Sequence, residues 1–285
     1  MAMAKSEDLG SCRVAILGLG LMGGSLAMAL RGKCAALLGI DPNRATLELA
    51  LSRNTVDRVS ERPEGLIGEA DLIVLAAPVG AIMSLLTDLP ELHPGEAMVI
   101  DLGSTKVDIV ARMAGLPERF DPLGGHPMCG KERGGLLNAD PALFNAAPFA
   151  LTALARSTKR VRATAEQLIQ AVGAAPIWLD PQTHDRWVAS TSHLPYLVAN
   201  SLAAVVPQEA RPLAGPGLRS TTRLAPSSRS MMQDVLATNR LNVLAALKRF
   251  RGRIEELERM IEAGEPSDLD KFLAEGALSY ERLVG

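Results

Sequence analysis

Gly18-Leu19-Gly20-Leu21-Met22-Gly23-Gly24 stands directly after Arg13-Val14-Ala15-Ile16-Leu17 and directly before Ser25-Leu26-Ala27-Met28-Ala29-Leu30. The first flank is a short apolar run with two β-branched residues, and the second is built of good helix formers. Strand, glycine turn and helix in this order form the context in which a G-x-G-x-x-G pattern signals nucleotide binding. Gly18 permits the tight turn, and Gly20 lets a pyrophosphate approach the backbone. Gly23 lets the helix pack close to the strand, with Leu21 and Met22 in the first turn and its N–H groups aimed at the phosphates. A second strand, Ala35-Ala36-Leu37-Leu38-Gly39-Ile40, ends in Asp41, eighteen residues beyond Gly23. An acid at about 20 residues is what a dinucleotide ribose requires. Glycine-rich turns also form without a ligand, but this spacing predicts a nicotinamide cofactor. The Asp41 carboxylate can accept both ribose hydroxyls and opposes a 2′-phosphate, which favours NAD. Arg44, three residues on, leaves NADP possible.

The rest of the chain repeats the alternation. Pro42 and Asn43 open a helix through about Ser52. Leu72-Ile73-Val74-Leu75-Ala76-Ala77-Pro78 is a continuous apolar strand of the kind buried in parallel sheets, and Ala77 and Pro78 at its end are assigned to the cofactor site. Ala81 to Leu89 supplies a helix, and Ala97-Met98-Val99-Ile100-Asp101 another strand. Gly103-Ser104-Thr105-Lys106 then leads into a helix to about Gly115. This pattern predicts a parallel, doubly wound sheet with ligands at the carboxyl ends of its strands. Pro148-Phe149-Ala150-Leu151-Thr152 and Ile177-Trp178-Leu179 read as later strands, with a helix between them. Beyond Gln182 strand signals vanish. Thr183 to about Val206 reads as one helix, bent at Pro195, and Pro207 to Pro226 as a loop. Met231 to Ala263 reads as one long amphipathic helix, and Ser267 starts a last one. Val243, Leu247, Phe250, Ile254, Leu257 and Ile261 form a heptad seam suited to a bundle or a dimer face. No internal repeat or low-complexity tract occurs.

At 285 residues, 47% hydrophobic and 22% charged, the chain has the composition of an ordinary soluble globular protein. A net charge of −2 gives no support for a nucleic-acid or anionic-membrane partner. Cys12, Cys34 and Cys129 lie far apart, which suits a reducing cytosol and argues against a structural metal. The first ten residues lack an apolar core, so no signal peptide is expected. From Val188 to Gln208 no charged side chain occurs, long enough to suggest a membrane span. His193, Pro195, Asn200 and four serines and threonines within it point instead to a buried helix.

Four histidines occur. His93, in Glu91-Leu92-His93-Pro94-Gly95, reads as part of a surface turn. His126 follows Gly124-Gly125, which bring backbone close to whatever it faces, so it is either catalytic or part of a structural His-Pro turn. His184 with Asp185 opens the helical part and reads as structural. His193 has the surroundings of a core histidine. Ser104 falls on the functional edge of the sheet or caps a helix. Cys129 reads as a buried thiol. Gly215-Pro216-Gly217-Leu218-Arg219-Ser220-Thr221-Thr222-Arg223 offers two guanidiniums to a carboxylate, or is a solvated connector.

Taken together, the glycine motif with Ser25, Gly103-Ser104-Thr105-Lys106, Gly124-Gly125-His126-Pro127-Met128, Ser192-His193-Leu194-Pro195 and Arg219-Ser220-Thr221-Thr222-Arg223 resemble the prephenate/arogenate dehydrogenase family of tyrosine biosynthesis. The likeness covers roughly residues 13 to 250. It implies an α/β, doubly wound (Rossmann-type) dinucleotide-binding domain, residues 1–181, and an all-helical substrate and dimerisation domain, residues 182–285, with the active site between them. It implies that His126 is the catalytic histidine and Ser104 the residue that orients it. His193 and Glu132 would contact substrate, and Arg223 would hold the ring carboxylate. Hydride leaves C4 of a cyclohexadienyl ring for the nicotinamide while His126 accepts the hydroxyl proton. Carbon dioxide then leaves C1 and the ring becomes aromatic. The resemblance implies a cytoplasmic homodimer acting on a small molecule, without a metal. Lys131, Leu218 and Ser220 depart from the usual pattern around the substrate loop, so they bear on the choice of substrate. Similar cyanobacterial-type enzymes often use arogenate with NADP, whereas Asp41 points to NAD.

Two other readings fit parts of the chain. A β-hydroxyacid or imine-type reductase would lean on a lysine in the helical part, yet Gln182 to Leu247 contains none. A non-enzymatic NAD-sensing module would not need His126, Ser104 and Arg223 to converge.

Overall fold

The computed structural model describes residues 8–131, 133–264 and 266–284. Eight strands form one sheet: β1 (Arg13–Leu17), β2 (Ala36–Ile40), β3 (Arg58–Ser60), β4 (Leu72–Leu75), β5 (Ala97–Asp101), β6 (Phe120–Pro127), β7 (Pro148–Ala153) and β8 (Ala175–Trp178). Their order is β3-β2-β1-β4-β5-β6-β7-β8. The strands from β3 across to β6 are parallel, with β1 at the point where the order reverses. β7 then runs antiparallel to β6, and β8 is parallel to β7. The sheet is therefore doubly wound but only mostly parallel.

Its strands read as apolar runs because both faces are covered. Val14, Ile16, Leu72 and Val74 face α1 (Leu21–Leu30), α2 (Arg44–Ser52) and α5 (Lys159–Ala171). Ala15, Leu17, Ile73 and Leu75 face α3 (Val79–Leu92) and α4 (Val107–Ala114). Alternate residues of one strand thus feed two separate cores, the arrangement expected of a sheet sandwiched between helices.

The remaining helices are α6 (Pro181–Val188), α7 (Leu194–Val205), α8 (Pro216–Thr221), α9 (Arg229–Thr238), α10 (Arg240–Ala263) and α11 (Pro266–Val284). Three expectations are corrected here. The single helix from Thr183 to Val206 is interrupted by a π-helical turn, Ala189–His193, closed by the Leu194 N–H on the Ala189 carbonyl. Pro195 lacks the N–H that would tighten this turn, and the Thr191 hydroxyl donates to the Trp187 carbonyl at 3.1 Å. The loop from Pro207 to Pro226 contains a 3₁₀ segment, Gln208–Leu213, and α8, whose first residue is a proline that needs no N–H partner. The helix from Met231 to Ala263 is two helices, α9 and α10. Asn239 (φ −123°, ψ 26°) breaks it, because its buried amide donates to the Asp185 carbonyl at 2.7 Å.

By compactness the chain divides into residues Met1–Asn239 and Arg240–Gly285. The first unit holds the sheet and the helices through α9. The second is the α10–α11 pair, joined by the Arg253 guanidinium bridging Glu256 and Glu275 and lying over the Phe272 ring.

The tightest point of the first unit lies under the glycine turn. A Cβ on Gly23 would stand 1.9 Å from the Gly18 carbonyl oxygen, which is backbone and cannot swing away. Gly23→Ala is expected to force α1 off β1, lowering stability by about 1–3 kcal/mol as overpacking does and weakening NAD binding. Urea unfolding and a dinucleotide titration measure both; an unchanged midpoint would mean that the helix can retreat without loss.

Candidate active site

The cofactor cradle lies at the carboxyl ends of β1, β2 and β4. Gly18 has φ +98°, and a Cβ there would meet the Ala76 carbonyl oxygen at 2.6 Å. Gly18, Gly23 and Ala76 are thus packed backbone to backbone. Gly20 differs, because a Cβ there would meet nothing within 4 Å. It is the N-cap of α1 and brings no side-chain cap to the helix. An open glycine before a helix N-terminus is the shape and polarity that a pyrophosphate fits. Asp41 ties this turn to β2: one carboxylate oxygen accepts the Leu19 N–H at 2.8 Å, the other the Asn43 N–H at 2.9 Å. Leu21 and Met22 are half-buried in the first turn of α1; Ala77 and Pro78 lead from β4 into α3. These residues fit a dinucleotide.

The second part of the site is assembled by β6. Gly124 and Gly125 occupy positions where a Cβ would stand 2.0 Å from the Thr152 hydroxyl and 2.6 Å from the Asp101 carbonyl oxygen. Only glycine allows β6 to nest this closely between β5 and β7, and the strand then delivers His126 near its end. The His126 ring is 8% exposed. Its Nδ1 lies 2.9 Å from His184 Nε2, and His184 Nδ1 lies 2.8 Å from Asp185 Oδ1. The same Oδ1 accepts the Lys106 N–H at 2.7 Å, while Oδ2 accepts the Val107 N–H at 2.9 Å. Asp185 of α6 therefore caps the N-terminus of α4.

Lys106 turns its fully buried side chain under the site. The ammonium pairs with Asp101, which is equally buried, and donates to the Gly125 carbonyl at 2.7 Å. Asp101 in turn accepts the Gly103 N–H at 2.7 Å and the Gly125 N–H at 3.1 Å. Burial lowers the Lys106 pKa, and the Asp101 charge opposes that shift. Burial also holds His126 well below the ordinary imidazole range, reinforced by repulsion from His184, Lys106 and His193. His126 is consequently neutral at neutral pH and able to take a proton.

The structure gathers some of the expected residues and leaves others apart. His193 sits in the π-helical turn, its Nδ1 3.3 Å from the Asn239 amide. Asn239 also donates to the Asp185 carbonyl, which links His193 to the His126 group. Burial pushes His193 down to about 4, against the attraction of Asp185. Its Nε2 is buried with no hydrogen-bond partner among the described residues. Ser104 is half-buried, is not hydrogen-bonded to His126, and does not cap α4, whose N-cap position is Lys106. Arg219 lies on α8 and Arg223 in the turn after it, both exposed. Glu132 lies outside the described residues. Cys129 is half-buried, and burial pushes its thiol up to about 11. His93 is not on a surface turn: it is buried, with Nε2 3.0 Å from the Ala70 carbonyl oxygen and its ring edge-on to Phe120. His184 and Asp185, read from the sequence as structural, are the partners that hold His126. No local signal could have found this, since 58 residues separate His184 from His126.

A doubly wound sheet with a glycine cradle at its switch point and a buried, neutral imidazole on the same edge defines a nicotinamide-dinucleotide dehydrogenase. Residues 26–177 match the family described as prephenate dehydrogenase, nucleotide-binding domain, and residues 180–275 its dimerization domain. The chain belongs to the prephenate dehydrogenase family. It is 30% identical over 276 residues to prephenate dehydrogenase of Bacillus subtilis, covering 91% of this chain and 72% of that one. Prephenate dehydrogenase of Aquifex aeolicus, solved with hydroxyphenyl propionate and NAD+, is similar with a TM-score of 0.88 at 25% identity, covering 99% and 100% of the two chains. Arogenate dehydrogenase of Synechocystis is similar with a TM-score of 0.81 at 27% identity, covering 95% and 100%. The chain is an NAD(P)-dependent enzyme of the prephenate/arogenate, or cyclohexadienyl, dehydrogenase class, in tyrosine biosynthesis. No helix among the described residues is long and apolar enough to cross a membrane.

The buried imidazoles carry a stability signature. Unfolded histidine takes its proton near pH 6.5, whereas His126 and His193 stay neutral in the fold to lower pH, His193 to about 4. Below pH ~6.5 the unfolded chain binds more protons, so stability falls as pH drops from there toward 4. Urea midpoints measured from pH 7.5 downward should decline through that window, and His193→Gln should flatten part of the slope. A midpoint constant down to pH ~4.5 would contradict the buried, neutral assignment.

Proposed function

We propose that His126 is the general base for oxidation of the ring hydroxyl of a cyclohexadienyl substrate. The observation that carries this is a neutral imidazole, buried and anchored, on the same sheet edge as an open glycine cradle. Nicotinamide, when bound, supplies the acceptor for the hydride of the carbon that carries the hydroxyl. His126 takes the hydroxyl proton, and Ser104, three residues beyond β5, orients His126 by its place in the family motif. The buried Nε2 of His193 meets a polar group of the substrate, as an unpartnered buried nitrogen requires. Arg223 holds the ring carboxylate, and Glu132 completes the substrate contacts by its place in the family motif. Gly18, Gly20, Leu21, Met22, Gly23, Asp41, Ala77 and Pro78 hold the dinucleotide. Asp41 favours NAD over NADP, and Arg44 is engaged with Glu48 at 3.1 Å rather than turned to the ribose.

The working enzyme is a homodimer in this reading. Phe250, Ile254 and Ile261 of the seam on α10 are 37%, 47% and 62% exposed in the single chain, a stripe that a second copy would cover. The match to a dimerization domain supports it. The functional division falls at 181/182, between a dinucleotide-binding and a helical domain. A cytoplasmic location suits three cysteines that form no disulfide among the described residues.

Steady-state rates with prephenate and arogenate, each with NAD and NADP, test the assignment; a kcat/KM favouring NADP would overturn the role of Asp41. His126→Asn should keep NAD binding and lower kcat by ~10²–10⁴-fold, the usual worth of a positioned acid–base group. Near wild-type turnover would make His126 structural. Arg223→Ala should raise KM for both substrates by an amount corresponding to ~2–5 kcal/mol, while Arg219→Ala changes it by under ~1 kcal/mol. The reverse order would assign the carboxylate to Arg219.

A further inference from the structure

His184, bonded to His126, and Asp185, bonded in turn to His184, are left without a part in the reaction, and with His184 neutral the bonds around them run in one consistent direction. Asp185 receives two backbone N–H groups, from Lys106 and Val107, at 2.7 and 2.9 Å. Backbone amides only donate, so both carboxylate oxygens act as acceptors. The third contact, His184 Nδ1 at 2.8 Å from Oδ1, therefore needs a proton on Nδ1. If His184 carries that single proton, its Nε2 is an acceptor. His126 Nδ1 faces it at 2.9 Å and must be the donor. That leaves the lone pair of His126 on Nε2, the only ring nitrogen not consumed by this chain.

We propose that His184 and Asp185 are positioning residues for the reaction, fixing the tautomer and orientation of His126 so that bare Nε2 meets the substrate hydroxyl. The inference rests on His126 being the base. The opposite arrangement, with a proton on His184 Nε2, would reverse the bond and place the His126 proton on Nε2, where it cannot accept another. Asp185, held as an acceptor by the α4 backbone amides, draws the single proton of His184 to Nδ1 and so opposes this. When His126 gains a proton, its Nδ1–H bond to His184 persists, with the Asp185 carboxylate one ring further on. The other charged and titratable groups around the pair are Lys106, neutralised by Asp101, and His193 on the π-helical turn.

A purely structural part fits the geometry less well. Asp185 alone caps α4. His184 fills the space between that cap and the base with a ring whose two nitrogens are both used and whose burial is almost complete. An apolar side chain would fill the same volume without a desolvation penalty.

The test is made on His184, because Asp185 variants also remove a helix cap. His184→Phe keeps a ring of similar size but no acceptor. It is expected to lower kcat by ~10²-fold with substrate and NAD KM values within ~3-fold of wild type. His184→Gln, whose amide oxygen reaches the place of Nε2, should recover kcat to within ~10-fold of wild type. A His184→Phe enzyme with unchanged kcat overturns the inference. So does a kcat loss with no recovery in His184→Gln. If His184→Phe does not fold, ¹⁵N-histidine spectra of the native enzyme with NAD decide: protonated Nδ1 and bare Nε2 on His126 are required, and the reverse is contradictory. Wild type and His126→Asn run alongside. A wild type that oxidises neither prephenate nor arogenate removes the functional reading. An active wild type with a dead His126→Asn and an unaffected His184→Phe removes only this one.

Discussion

One buried carboxylate, Asp185, joins the helical segment to the sheet edge on which the site is built. Removed from water, it is tolerable only because three N–H groups saturate it, two from the first turn of α4 and one from His184. The positive end of the α4 dipole faces it as well. Because the backbone of α4 holds one side of the carboxylate and an imidazole the other, moving α6 would unmake both the helix cap and the setting of His126. Further bonds keep the same elements together. Thr105 and Thr238 share a hydroxyl contact at 2.9 Å, and Asp234 of α9 accepts the Gly80 N–H at the start of α3. Asn239 closes the set by taking the Asp185 carbonyl.

Beneath this, the Lys106–Asp101 pair does for β5 and β6 what Asp185 does for α4 and α6. Both side chains are wholly buried, and Asp101 also accepts the N–H groups of Gly103 and Gly125. Such a pair adds little net stability over apolar packing, but losing one partner strands the other charge. Its value here is geometric. It ties the Gly124-Gly125 backbone to β5, and the missing side chains of those glycines let β7 close in from the other side. His126 is thereby held from below by strand pairing and from the side by His184. Burial then keeps it uncharged, which is the state that a base needs before the reaction.

What was legible in the sequence is what depends on neighbours in the chain. The glycine turn between Leu17 and Ser25, the acid at Asp41 and the apolar strands through Asp101 all follow from local pattern, as does the order of strands and helices. β3 and β6 leave no such trace: Arg58–Ser60 is too short to show a period, and the glycines and prolines of Phe120–Pro127 mask a strand. The break at Asn239 and the π-helical turn at 189–193 leave none either. Both arise from a hydrogen bond or a missing donor that competes with a pattern otherwise helical. His93 departs from its local pattern: a Leu-His-Pro-Gly string looks solvent-facing, whereas tertiary packing against Phe120 and the Ala70 carbonyl buries it. The role of His184 and Asp185 could not be read at all without coordinates: an adjacent His-Asp pair carries no sign of facing a glycine-flanked histidine in another element.

The chemistry proposed for this site depends on which nitrogen of His126 meets the ring oxygen. A crystal structure of the enzyme with NAD and 4-hydroxyphenylpyruvate, the product of prephenate oxidation, reads this directly. The phenolic oxygen is expected at hydrogen-bonding distance, ~2.6–3.2 Å, from His126 Nε2, with the Nδ1 contact to His184 intact. A phenolic oxygen bound elsewhere, or a His126 ring turned so that Nδ1 faces the ligand, would contradict it.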